Sequence, residues 1–134
     1  MLNTNNDIEC KIIELSKVGE ARGDLFIAEF QKEIPFQTNR IFFINSVPKD
    51  TIRGKHAHKV CEQFLICLNG EVEVSCINKQ KRFVFKLKSP NKGVYIPSMT
   101  WTEIKYKRKN SLLMVLASHL YDKNDYIKEK SIFI

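Results

Sequence analysis

Histidine is scarce in this chain, with three in 134 residues. Any imidazole chemistry must therefore come from very few positions. Proline (four) and glycine (five) are also few. No linker, low-complexity tract or internal repeat breaks the sequence, which predicts one domain over residues 1–134. The longest apolar runs, such as 112–117, are far too short for a membrane-spanning helix. Residues 1–6 are polar and lack the apolar stretch of a signal peptide. The expectation is a cytoplasmic protein with no membrane partner. No Cys-x-x-Cys pair occurs among Cys10, Cys61, Cys67 and Cys76. Free, buried thiols are expected rather than disulfides or structural zinc.

Positive charge is in excess: the formal net charge is +7 and the pI about 9.3. The lysines are spread along the chain, and the only dense basic patch, 105–109, reads as a solvated hairpin turn. Charge alone does not choose between a nucleic acid and smaller anions such as a nucleotide diphosphate; with the basic residues dispersed, no nucleic-acid partner is expected.

What the chain does have is many short strands separated by turns. Apolar or alternating runs lie at 12–15, 25–30, 40–47, 63–68, 71–76, 82–87, 93–97, 102–106 and 112–117, with a turn-like stretch before residue 25. Asn69-Gly70 reads as a two-residue hairpin. The one helical candidate is the tail near 125–128. So many short strands predict an all-β sandwich or barrel of the jelly-roll kind, with a mouth lined by inward side chains.

The chemistry concentrates in Arg53-Gly54-Lys55-His56-Ala57-His58, followed by Glu62-Gln63. On a strand, residues two apart share a face, so His56 and His58 stand side by side. Such a pair suits a metal or a proton transfer. Metal-binding cupin barrels carry His-x-His, a carboxylate and a later histidine. Gln63 takes the carboxylate position here, Glu62 is one residue out of register, and 93–102 holds no histidine. The third, His119, follows the last core strand and is expected to be exposed. Two imidazoles and an amide make a poor site for Zn²⁺ or Fe²⁺. The expectation is a site without metal or cofactor. A neutral imidazole is a good base next to a carbonyl. Arg22, Arg40 and Arg53 can hold an anionic substrate or a developing enolate.

The same run, with Cys67-Leu68-Asn69-Gly70 downstream, resembles the metal-free cupins that act as sugar-nucleotide 3,4-ketoisomerases. The likeness extends through Ile34-Pro35-Phe36, Arg40, Ser89-Pro90, Gly93-Val94-Tyr95, Trp101 and Leu116-Ala117-Ser118. It ends in Tyr121-Asp122 and Asp125-Tyr126-Ile127, and so covers nearly the whole chain. The resemblance implies a cupin jelly roll, a homodimer and no cofactor. It also implies conversion of dTDP-4-keto-6-deoxyglucose to a dTDP-3-keto-6-deoxyhexose in deoxysugar biosynthesis for O-antigen or lipopolysaccharide. Its site residues map onto catalytic His56 and His58. Substrate binding maps onto Arg40 and Arg53, and Arg22, Gln63, Tyr95, Trp101 and Thr102 are further candidate substrate contacts. Many members carry tyrosine where this chain has Phe42 or Phe43, and histidine where it has Thr102.

On this reading a histidine takes the C3 proton next to the C4 ketone, an enediolate forms, and C4 is reprotonated. His58 is expected to be the main acid/base with His56 as its partner, or the reverse. Arg22 and Thr102 are expected near the reacting carbons, with Arg22 favouring the galacto product. Three other readings stay open: a metal-dependent cupin enzyme, a non-catalytic sugar-nucleotide-binding cupin, and a 3,5-epimerase. The last calls for a separate His–Asp pair, and the sequence shows no such motif.

Overall fold

A computed structural model describes residues 8–134; the polar segment at 1–6 lies outside the described residues. One five-stranded sheet runs, in spatial order, β1 (Lys11–Glu14), β9 (Lys92–Ile96), β6 (Gln63–Asn69), β11 (Leu112–Ala117) and β4 (Arg40–Asn45). The other runs β12 (Tyr126–Ile127), β5 (Thr51–His58), β10 (Trp101–Tyr106), β7 (Val72–Asn78) and β8 (Lys81–Leu87). β2 (Ser16–Glu20) and β3 (Gly23–Ile27) form a separate hairpin. The strand pairs are antiparallel. The protein is an all-β, cupin-like jelly roll.

Alternation explains the core. Val72, Val74 and Cys76 of β7 are buried while Glu73 and Ser75 stay half-exposed. These side chains meet Leu65, Val94, Leu113 and Val115 from the facing sheet. Burial of each such aliphatic side chain stabilises the fold by about 1.5–3 kcal/mol. β6 is instead buried on both faces. Leu65 and Cys67 point into the barrel, and Phe64 and Ile66 are covered from outside by Ile34, Phe36 and Leu116.

Several local expectations are corrected. Asn69-Gly70 closes no hairpin, because β6 pairs with β9 and β11 whereas β7 pairs with β10 and β8. The chain crosses there from one sheet to the other. Gly70 has φ +79°, and a Cβ on it would sit 2.6 Å from the Ser111 Cα. The turn signal was real, but close packing rather than strand pairing requires the glycine. The turn-like stretch before residue 25 contains the strand β2, paired residue for residue with β3. The tail forms no α-helix: a 3-10 turn at Lys123–Asp125 leads into β12, and a second lies at Lys130–Phe133. In the basic stretch 105–109, Tyr106 is fully buried at the end of β10 and only the residues after it form a turn. The four cysteines are free and buried, as expected. Among the described residues no helix is long and apolar enough to cross a membrane.

Candidate active site

The site begins with a break in the register of β5. Thr102 of β10 lies opposite His56 and Glu103 opposite Gly54, so Lys55 is skipped in the pairing with β10. Gly54 and Lys55 have φ of +91° and +57°. A Cβ on Gly54 would stand 3.0 Å from the Thr102 carbonyl oxygen. The extra residue resets the alternation. Arg53 and His56, three apart, then line the same cavity, where an unbroken strand would face them oppositely. His56 and His58 share a face, their rings edge-on with centroids 5.0 Å apart.

Each imidazole is oriented by a partner on Nδ1. His56 Nδ1 lies 3.0 Å from the Gly54 carbonyl, which can only accept. The neutral ring is therefore protonated on Nδ1 and carries its lone pair on Nε2. Burial, then the neighbouring His58, pushes the His56 pKa down to about 4, so the ring is neutral at ordinary pH. His58 Nδ1 lies 3.0 Å from Asp125 Oδ2, and both side chains are buried. Burial lowers the His58 pKa, against the pull of Asp125. Burial by itself would raise Asp125, but the N–H groups of Val60 and Cys61 and the His58 ring hold it below the usual carboxylate range. The remaining His58 nitrogen, Nε2, is 3.4 Å from Gln63 Nε2.

This His–Asp pair corrects the sequence analysis, which finds none. The partners are 67 residues apart, and β12 delivers Asp125 by pairing Tyr126 with His58 and Ile127 with Ala57. The neighbouring Tyr126 likewise has no role in the sequence analysis. Its ring packs 4.9 Å from His56 and 4.5 Å from His58. The only signal was the Asp-Tyr-Ile tail itself.

A cavity of about 310 Å³ lies between the sheets, lined by Phe42, Arg53, His56, Gln63, Thr102 and Tyr126 among others. Other expected site residues lie elsewhere. Arg40 donates from Nε to the His119 carbonyl at 3.2 Å and lies over Phe42, 5.1 Å from its ring centre. Its charge reaches His58. Tyr95 packs outside the barrel with Phe36 and donates its hydroxyl to Glu62. Trp101 turns away from the cavity that Thr102 lines, packs on Phe133 and donates to Glu103 at 2.8 Å. Arg22 is exposed at the tip of the β2–β3 hairpin and pairs with Glu20 at 2.7 Å. His119 is exposed.

His58, Cys61 and Asp125 bring ligand-type atoms within 4.8 Å of one another. The donor types suit zinc. The Asp125 oxygens, however, already accept two backbone N–H groups, and the Arg40 guanidinium stands 4.0 Å from the Cys61 sulfur. A fixed cation beside the trio opposes a divalent ion.

Residues 8–134 match the family model described as FdtA: WxcM-like, C-terminal. The chain is 37% identical over 122 residues to the TDP-4-oxo-6-deoxy-alpha-D-glucose-3,4-oxoisomerase of Aneurinibacillus thermoaerophilus, covering 91% of this chain and 88% of that one. Among solved structures it is similar to QdtA, a sugar 3,4-ketoisomerase from Thermoanaerobacterium thermosaccharolyticum in complex with TDP. The identity is 34%, the coverage 92% and 90%, and the TM-score 0.85. A histidine-to-asparagine mutant of QdtA has been solved with TDP-4-keto-6-deoxyglucose. A 3,4-ketoisomerase from Helicobacter canadensis matches at 35% identity, 94% and 95% coverage and a TM-score of 0.87. Matched over nearly its whole length, the chain belongs to the FdtA family of WxcM-like, C-terminal proteins.

Proposed function

We propose that this protein converts TDP-4-keto-6-deoxyglucose into its 3-keto isomer by proton transfer, without a metal. The relatives above support the class: the chain is a TDP-sugar 3,4-ketoisomerase, an isomerase. The observation that carries the mechanism is His56, a neutral imidazole with its lone pair on Nε2, in the wall of the cavity. That cavity, about 310 Å³, is at the small end of ligand pockets of roughly 300–1,000 Å³. It takes the sugar and leaves the nucleotide outside.

The C4 ketone acidifies the hydrogen on C3. His56 Nε2 takes that proton, and the charge spreads over C3, C4 and their oxygens as an enediolate. Return of the proton to C4 leaves the ketone at C3. Arg53, in the cavity wall, faces the developing negative charge. Arg40, stacked over Phe42 of the cavity wall, serves the diphosphate. His58, held by Asp125, stands behind His56 and fixes its surroundings. Thr102, opposite His56 in the β-ladder, holds the sugar at C3 and C4. Tyr95 and Trp101 act from outside the cavity, as packing beneath the loops that frame it.

Arg22 sits on a separate two-stranded hairpin and is not among the residues lining the cavity, so its role is assigned to the sugar of a second copy. Ile41 and Phe43 on β4 and Val18 and Leu25 on the hairpin are exposed apolar side chains, an arrangement suited to a homodimer. In that dimer Arg22 orients proton delivery at C4 and favours the galacto product. The protein acts in the cytoplasm, where nucleotide sugars are built.

The test is incubation of EDTA-treated protein with TDP-4-keto-6-deoxyglucose in D₂O, followed by NMR. The expected product is a 3-ketone formed at the untreated rate, with deuterium at C4 in the fraction of turnovers in which the proton on His56 exchanges with solvent before its return. The buried His58–Asp125 pair favours a second reading, a 3,5-epimerase. That enzyme would exchange C3 and C5 and leave the ketone at C4. Loss of activity on chelation, with rescue by one divalent ion, would sink the metal-free mechanism.

A further inference from the structure

We propose that Tyr126 is a catalytic residue of this site, its phenol moving a proton between the two sugar oxygens while His56 moves one between the two carbons. The inference rests on the ketoisomerase reading above and adds to it a second proton carrier.

Moving a ketone from C4 to C3 relocates two hydrogens. One passes from C3 to C4 and the other from O3 to O4. While His56 holds the carbon-derived proton it cannot also serve the oxygens, so the cavity needs a second acid/base group. His58 is badly placed for that task. It is 6% exposed, and its two ring nitrogens face Asp125 and Gln63. Phe42 and Phe43 carry no hydroxyl. Thr102 lines the cavity, but an aliphatic alcohol is far too weak an acid to give up a proton here. Tyr106 also lines the cavity and its hydroxyl has no partner among the described residues, yet its side chain is fully buried. It also lies four residues past Thr102 on β10, about 13 Å along the strand.

Tyr126 meets every requirement. It lines the cavity and is half-buried, so a ligand can touch it. Its ring stands 4.9 Å from His56 at 69° and 4.5 Å from His58 at 55°. No described residue hydrogen-bonds its hydroxyl, which leaves that group for the substrate. Its place is fixed from both sides. The pairing of β12 sets Tyr126 across from His58, and Asp125, the residue before it, is locked to His58 and to the Val60 and Cys61 N–H groups.

The steps balance. His56 Nε2 takes the C3 proton, the C–H pair becomes the C3=C4 bond, and the carbonyl pair moves to O4. Tyr126 Oη then gives its proton to O4 and takes the proton of the O3 hydroxyl. The O3 pair forms the new carbonyl, and the C3=C4 pair takes the proton from the His56 imidazolium at C4. Both side chains end as they began.

Tyr126→Phe removes the hydroxyl and keeps the ring that packs on both histidines. Turnover of TDP-4-keto-6-deoxyglucose should fall about 10²–10⁴-fold, with the TDP dissociation constant by calorimetry within twofold of wild type. Exchange of the C3 hydrogen with D₂O should continue within tenfold of the wild-type rate, because His56 is untouched. Wild-type turnover by Tyr126→Phe would overturn the proposal. So would joint loss of turnover, C3 exchange and TDP binding, which would reduce Tyr126 to a packing residue. Failure of the wild-type protein to form a 3-ketone would instead sink the ketoisomerase reading on which the proposal stands.

Discussion

β7 and β5 flank β10 in one sheet, yet they build opposite halves of the barrel. β7 keeps strict alternation, and Val72, Val74 and Cys76 fill the interior beside Leu87 and Leu113. β5 breaks alternation at Gly54 and Lys55, and its inward side chains border a cavity of about 310 Å³. One half is packed to hold the fold together. The other keeps space and polar groups that cost stability: a buried and a half-buried imidazole, a carboxylate and, among the described residues, a hydroxyl with no partner. Stability and chemistry are thus separated by strand, and a single extra residue marks the boundary.

Substitutions can break that separation. The largest effect is expected at the bulge: His56→Asn should lower turnover about 10²–10⁴-fold while the denaturation midpoint stays near wild type. A large loss of stability with it would show that the two halves are not separate. In the packed half, Leu87→Ala should cost about 2–5 kcal/mol of stability, read by urea unfolding, with kcat of the folded protein kept. A kcat loss of tenfold or more would tie the packed half to the chemistry.

Acidity sharpens the comparison further. Because the His56 pKa is lowered to about 4, the base stays unprotonated well below the usual imidazole value near 6.5. The acid limb of kcat/KM assigned to this group should therefore lie near pH 4. The sign for stability follows from the same shift. Between about pH 6.5 and 4 the unfolded chain binds a proton that the folded His56 refuses. Its contribution is present above pH 6.5 and is lost as pH falls to about 4. A stability curve flat across that window would place His56 in a more solvated setting. The smallest contrast is between two arginines. Arg53→Lys in the cavity wall should raise KM on the order of tenfold, the size of one charge-assisted hydrogen bond. Arg108→Lys, in the basic turn and 3.6 Å from Glu71, should change nothing measurable. Equal effects would make Arg53 another surface cation.

Much of this was legible because it is local. Alternation in 71–76 and 82–87 gives strands, since a strand buried on one face repeats every two residues. His56 and His58 share a face for the same reason. The bulge was not legible, because Gly54-Lys55 fits a regular strand as well as a kinked one. Nor were the placements of Tyr95 and Trp101, each turned outward by the strand that carries it. Cross-chain pairing decides which alternate side chains face the cavity.

By itself the sequence determined the all-β class, the buried free cysteines and the pair of imidazoles, since each depends on neighbours a few residues apart. Only the tertiary structure decided the split of β6 and β7 between two sheets and the arrival of Asp125 and Tyr126 beside His58. Those contacts join segments about 67 residues apart. No local pattern encodes such a contact. It exists because two sheets must close on one core, and that closure carries the tail to the mouth of the barrel.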